Sequence, residues 1–284
     1  MTKPMYDGAF LSEPAFQRAV GDLRVTFKRR GDTSVLDDLR QAGCLKALFP
    51  RPVTPGWADV TTLNTSGGVA SGDRLLSAFA VGPGARAVVS AQAAERFYRA
   101  PVGGLPSFVR TQIDVAAAAS LEWLPQETIL FNHCALDRRL EINLAPDAWF
   151  LGVEALVFGR AAMGEQVEQA RLHDALRVRR DGRWLLHDTV RMDGPIAALL
   201  ARPAVAAGAR AVATLLHVAP DAEAFLTPVR DALEENGVET GVSAWNGMLV
   251  ARMLAPDSAM LRHAVAVALN VIRAPRALPR VWMC

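Results

Sequence analysis

From Val20 onward the chain alternates apolar and polar residues. Leu23, Val25 and Phe27 fall on one face of a strand, and Arg24, Thr26 and Lys28 on the other. Gly31-Asp32 reads as a turn, while residues 35–41, with Leu36 and Leu39, fit a short helix or a strand end. Pro50, Pro52, Pro55 and Gly56 make a stiff connection with Trp57 as an apolar plug. Two apolar strands, residues 60–63 and 75–81, then flank the loop Asn64-Thr65-Ser66-Gly67-Gly68-Val69-Ala70-Ser71-Gly72-Asp73. Glycine serves where φ is positive or where another group comes close, and here three glycines lead into an acid. By itself the loop also fits a solvated hairpin. Residues 1–16 are mixed in character and read as a loose segment or an edge attachment.

After this loop the pattern repeats. Residues 79–90, 113–124 and 142–153 each read as strand, tight corner, alanine (Ala85, Ala119, Ala148) and strand, with the alanines roughly 30 residues apart. Each unit is followed by another apolar strand, at 96–98, 129–131 and 156–158. Such a period predicts helically wound, stacked strands, a β-solenoid-like body in which equivalent positions line up in rows. Gln92 and Gln126 share one such row. An ordinary antiparallel sandwich fits the same alternation.

Residues 167–178 and 184–192 form two further strands around the turn Arg180-Asp181-Gly182. The last third changes character. Residues 212–218 are a strand, and Asp221 is placed to cap a helix carrying Phe225, Leu226, Val229 and Leu233. Asn246-Gly247 joins two strands, and Asp257 starts a second helix with Leu261, Ala264, Val265, Ala268, Leu269 and Ile272 inward. The fold class is thus mainly β. A β-rich body spans 1–211, and a small C-terminal α+β module with two helices and an extended tail spans 212–284, packed as one unit with the body.

The 284 residues, 51% hydrophobic, suffice for a large core. With 31 Lys+Arg against 29 Asp+Glu and no long basic block, neither nucleic acid nor a membrane surface is an expected partner. The run Arg177-Val178-Arg179-Arg180 reads as an exposed strand end. Cys44, Cys134 and Cys284 form no disulfide framework and no Cys-x-x-Cys zinc site. The N-terminus lacks an apolar signal core, and the apolar stretch 196–218 is interrupted by Arg202, Pro203, Gly208 and Arg210. A soluble cytoplasmic protein is expected.

No P-loop, dinucleotide fingerprint, His-Glu-x-x-His or Gly-x-Ser-x-Gly motif is present. The glycine loop precedes a strand, so no helix N-terminus is available to a phosphate. The five histidines are not paired at ligand spacing. The carboxylates are more informative, because charge is rarely buried without a partner. Glu154 stands in the apolar run 151–158, Asp188 interrupts 184–190 in the same way, and Glu165 follows Gly164. With Asp73 these acids could line a buried polar path, with Arg160 as a partner for Glu154. They fit unrelated buried salt bridges equally well.

The chain resembles the urease accessory protein UreD family, called UreH in some bacteria. The matching segments are Gly67-Gly68 with Gly72-Asp73, Gly82-Pro83-Gly84-Ala85, Arg96-Phe97-Tyr98-Arg99, Leu121-Glu122-Trp123-Leu124-Pro125-Gln126-Glu127, Glu154-Ala155-Leu156-Val157-Phe158-Gly159-Arg160, Gly164-Glu165 and Leu278-Pro279-Arg280-Val281-Trp282. Together they cover roughly residues 20–282. The chain departs from the family where Thr65-Ser66 replaces two prolines, at Glu95, where a small hydroxyl residue is usual, and at His187-Asp188, where an apolar residue and a Glu are usual.

The resemblance implies a body of helically wound strands with two C-terminal helices and no enzymatic activity. It also implies binding to a UreF-like partner, through it to a UreG-like GTPase, and to apo-urease during assembly of the nickel centre. On that basis Asp73, Glu154, Glu165 and Asp188 would be stations of a transient nickel path, with Ser90, Glu95 and Arg160 lining the same channel. No cofactor would be tightly bound; Ni²⁺ would only pass through. Carboxylates hold nickel less firmly than imidazole and thiolate sites, which suits a passage. Two alternatives are an interaction scaffold without a metal path and a carboxylate-pair hydrolase, which needs two acids about 5–10 Å apart in an open cleft. The tail and the C-terminal module are the expected partner contacts.

Overall fold

The structure, a computed structural model, describes residues 17–234 and 236–283, so the expectation for residues 1–16 lies outside the described residues. The first strands are β1 (Val20–Arg30), β2 (Thr33–Gly43), β3 (Leu45–Leu48), β4 (Ala58–Asn64), β5 (Arg74–Val81) and β6 (Arg86–Ala91). The chain continues through β7 (Glu95–Phe97), β8 (Ser107–Val115), β9 (Ser120–Leu124), β10 (Thr128–Leu130), β11 (Ala135–Leu144) and β12 (Trp149–Phe158). Then come β13 (Gln169–Arg180), β14 (Arg183–Pro195), α1 (Ile196–Leu200), β15 (Ala211–Val218), α2 (Leu226–Glu234), β16 (Glu239–Trp245), β17 (Met248–Ala255) and α3 (Ser258–Arg273).

The chain is mainly β, as its alternation predicts. Residues 35–41, left open between helix and strand, belong to β2. The strands form two open, mixed sheets. One runs β14-β13-β11-β8-β5-β1-β2; the other runs β16-β17-β15-β12-β9-β6-β4-β3, with β7 and β10 attached beside it. From β4 to β13 the chain passes repeatedly between the sheets, so successive strands within each sheet are parallel neighbours.

The three repeats fall on β5–β6, β8–β9 and β11–β12, and their corners stack. The Ser120 N–H donates to the Ala85 carbonyl at 2.9 Å and the Trp149 N–H to the Ala119 carbonyl at 3.0 Å. Ala85, Ala119 and Ala148 are buried at the turn. Strands that pair antiparallel (β2, β3, β14 to β17) flank this parallel part.

Parallel strands covered on both faces carry near-continuous apolar runs, and their alternation divides two cores. Leu23, Val25, Phe79, Ile113, Ile142 and Phe150 pack between the sheets. Val88, Leu124, Leu151 and Val153 pack on the other side of the ten-stranded sheet with Leu261, Val265 and Leu269 of α3. β15, β16 and β17 extend the ten-stranded sheet beyond β12, which places the C-terminal segment on the body through strand pairing.

Asp257 caps α3 by accepting from the Met260 N–H at 2.9 Å, and the six residues expected inward are all buried. Asp221 departs from expectation. Its side chain makes no capping bond, because a 3₁₀ turn at Ala222–Phe225 precedes α2 and moves the helix start to Leu226. The tail is not fully extended but ends in a 3₁₀ turn at Arg280–Trp282, and α1 is a short third helix that the apolar pattern did not distinguish. No helix among the described residues is long and apolar enough to cross a membrane.

Candidate functional site

On β11, Leu136, Leu140 and Ile142 point into the inter-sheet core, and Arg138 shares their parity. On β13, Asp174 stands in the same way among Leu172, Leu176 and Val178, and the register places Arg138 directly opposite Asp174. Glu154 of β12 lies on the facing sheet, with the parity of Phe150, Leu156 and Phe158. The alternation that builds the core thus drives three charged groups into it.

Their side chains satisfy one another. Arg138 grips Asp174 with two bonds, Nε to Oδ1 at 2.8 Å and Nη2 to Oδ2 at 2.6 Å. Its Nη1 lies 2.8 Å from Glu154 Oε2 and donates to Thr128 Oγ1 at 2.9 Å. Trp123 Nε1 donates to Glu154 Oε1 at 2.6 Å. Burial disfavours the Arg138 cation, yet Asp174 and Glu154 outweigh it and hold the guanidinium pKa above its ordinary value. Burial also pushes the Glu154 carboxyl upward, and Arg138 offsets only part of that rise.

These groups adjoin two cavities with polar lining. The larger, about 270 Å³, lies against Phe79, Trp123 and Leu140; its polar lining includes Asn64, Glu95, Gln126, Thr128 and Glu154 and the three arginines Arg96, Arg138 and Arg139. Glu95 accepts from Asn64 Nδ2 at 3.3 Å, and its burial raises the carboxyl pKa. The smaller, about 50 Å³, is lined by Glu154, Asp174 and Asp188 with Leu140, Val190 and Thr214. Asp188 pairs with Arg252 at 2.7 Å. Glu154 belongs to both cavities. Among the described residues no group of three His, Cys, Asp or Glu side chains could hold a metal ion together.

The remaining residues singled out from the sequence lie elsewhere. Asp73 is 3% exposed, and its oxygens accept from the Ala19 N–H at 2.8 Å and the Ala70 N–H at 2.7 Å. It closes the glycine loop onto the start of β1 and does not line the larger cavity. Ser90 bonds Thr61 Oγ1 at 3.1 Å and lines a separate cavity of about 70 Å³ beside Asp59 and the tail. Arg160 does not reach Glu154. It pairs with Glu165 at 2.6 Å, and its guanidinium lies 4.0 Å from the Phe131 ring centroid. Burial opposes ionisation of Glu165, but the bond and charge of Arg160 and the backbone N–H groups of Asn132 and Arg160 together outweigh it, and the carboxyl pKa falls below its usual value.

Phe131 meets Tyr98 edge-on, and the Tyr98 hydroxyl donates to the Gly67 carbonyl at 2.5 Å, so this pair connects to the glycine loop rather than to the inter-sheet acids. Gly68 has φ +146°, and a Cβ there would sit 2.5 Å from the Tyr98 ring. Gly68→Ala is therefore expected to displace Tyr98 and cost about 1–3 kcal/mol in urea unfolding, combining backbone strain with the clash.

Arg138, Asp174 and Trp123 were not singled out from the sequence as site residues, although Arg138 and Asp174 each break an apolar series of period two. A second group was missed outright. Glu122, 0% exposed, receives Arg273 Nε at 2.9 Å and Arg276 Nη2 at 2.8 Å. The Gln126 side chain donates to the Val281 carbonyl at 2.9 Å, and Trp282 Nε1 donates to the Leu124 carbonyl at 3.0 Å. Segments 121–127 and 278–282, far apart in the chain, are thus two sides of one contact.

The family described as UreD urease accessory protein matches residues 19–283. The chain belongs to the UreD family. It is 47% identical over 267 residues to the urease accessory protein UreD of Xanthobacter autotrophicus, covering 94% of this chain and 90% of that relative. The urease accessory protein UreD of Azorhizobium caulinodans is 46% identical over 270 residues, covering 95% and 98%. That of Dinoroseobacter shibae is 45% identical over 270 residues, covering 95% and 94%. All the inter-sheet acids and the tail contact lie inside the part matched to UreD.

Proposed function

We propose that this chain acts in urease maturation as a non-enzymatic scaffold and nickel conduit. Glu95, Glu154, Asp174 and Asp188 form the path, and the single observation that carries the reading is that Glu154 lines both inter-sheet cavities. The stacked corner units serve as a solenoid-like frame around that path. In this reading the protein works in the cytoplasm and docks with apo-urease and a UreF-like partner, and through the latter with a UreG-like GTPase. It holds no permanent cofactor, with Ni²⁺ as its cargo. Asp73, Glu165, Ser90 and Arg160 act by shaping loops and the surroundings of the path. The hydrolase alternative finds no support, because Glu154 and Asp174 lie between the sheets, bound to one arginine, rather than across an open cleft.

A second reading, a scaffold whose acids only hold the fold, is favoured by the arginine partner of each of Glu154, Asp188 and Glu165. Asp188→Ala separates the two. The conduit reading expects normal copurification with apo-urease and the UreF-like partner but strongly reduced nickel-dependent urease activation. The scaffold reading expects loss of solubility or of partner binding, and full activation would sink the conduit.

A further inference from the structure

We propose that Arg138 is the gate of this conduit, occupying the cation position between Glu154 and Asp174 until a divalent ion displaces it; the inference rests on the conduit reading above. Arg138 itself lines the 270 Å³ chamber, and both of its acid partners line the 50 Å³ chamber. It therefore sits where the two meet. All four oxygens of Glu154 and Asp174 are already engaged: Arg138 donates to both Asp174 oxygens and its Nη1 lies 2.8 Å from Glu154 Oε2, while Trp123 donates to Glu154 Oε1. A cation cannot take either carboxylate in full while this arrangement stands.

The guanidinium cannot leave by losing its proton, since the acids hold it charged. It opens only by moving. Room exists in the larger chamber, where Thr128 and Glu95 offer acceptors. Exchange discriminates by charge. A monovalent ion brings no more charge than the arginine and lacks its directed fork of donors, whereas a divalent ion gains roughly twice the Coulomb attraction from the same two carboxylates. The gate thereby excludes abundant monovalent ions and, by returning to its acids, drives the divalent ion onward.

The test is nickel binding by the isolated full-length chain, measured by equilibrium dialysis of wild type, Arg138→Met, Arg138→Lys and Arg138→Met/Glu154→Gln, with thermal unfolding as the fold control. Arg138→Met is expected to bind one Ni²⁺ per chain about tenfold or more tighter than wild type, and the double variant to lose that gain. If Arg138→Met does not fold, Arg138→Lys, which keeps the charge but not the fork, is expected to show a smaller gain. A folded Arg138→Met or Arg138→Lys chain that binds no more nickel than wild type overturns the gate and leaves the conduit reading standing. Full urease activation by a Glu154→Gln chain overturns the conduit, and the gate with it.

Discussion

Arg273→Met is expected to lower stability by about 3–5 kcal/mol, read as a fall in the urea midpoint without loss of the cooperative transition. Arg273 is 1% exposed at the end of α3, and Glu122 on β9 is fully buried. Their paired contacts, at 2.8 and 2.9 Å, fasten the helix to the ten-stranded sheet, while Arg273 Nη1 also reaches the Arg276 and Ala277 carbonyls of the tail. Removing the arginine leaves a buried carboxylate with only Arg276, whose guanidinium packs over Trp57 and Trp149. Burying an underpaired charge costs several kcal/mol even where the intact pair contributes little net stability. The double variant Glu122→Gln/Arg273→Met should recover much of the loss, so a double-mutant cycle gives a large coupling energy. Equal losses in the single and double variants would show that Arg273 acts through packing alone.

Glu154→Gln is expected to leave the fold nearly intact and to reduce nickel-dependent urease activation by about tenfold or more, on the scale of about 1.4 kcal/mol or more in the passage step. The amide is isosteric. Its oxygen can still accept from Trp123 Nε1, and Arg138 keeps its two bonds to Asp174. What disappears is the negative charge common to both chambers. The readouts are thermal unfolding, copurification with apo-urease and the UreF-like partner, and urease activity after nickel loading. Normal copurification with lost activation is the expected pattern. Lowering the pH should imitate the substitution. Burial holds the Glu154 and Glu95 carboxyls above their ordinary range, so falling pH neutralises them before exposed glutamates. Activation should therefore decline with acidification sooner in wild type than exposed carboxylates would dictate, and Glu154→Gln should flatten that dependence.

Much of the architecture was legible because it is local. The stacked corners follow from the repeated strand–corner–alanine pattern, and α3 from its Asp257 cap and apolar stripe. Glu154 and Asp188 were legible as acids breaking apolar runs; Glu154 lines both cavities and Asp188 the smaller one. Arg138 and Asp174 carried the same signal in series of period two, yet charged strand residues more often face water, so the signal pointed to no particular depth. Asp73 was legible as an acid held by glycines; its role in closing the loop through two backbone N–H groups depends on the position of Ala19, which the loop sequence does not contain.

The amino-acid order alone determined most of the strands, the repeated corners, the Asp257 cap and which face of each element is apolar, because these depend on neighbours a few positions away, whereas it left residues 35–41 open and misplaced the start of α2. Tertiary structure alone decided who meets whom. Arg138 faces Asp174 because β11 and β13 pair in one register, and Glu122 meets Arg273 because the C-terminal end of α3 reaches β9. The same alternation would accept a register shifted by two residues with every apolar face preserved, so only the packed core selects the partner for each buried charge.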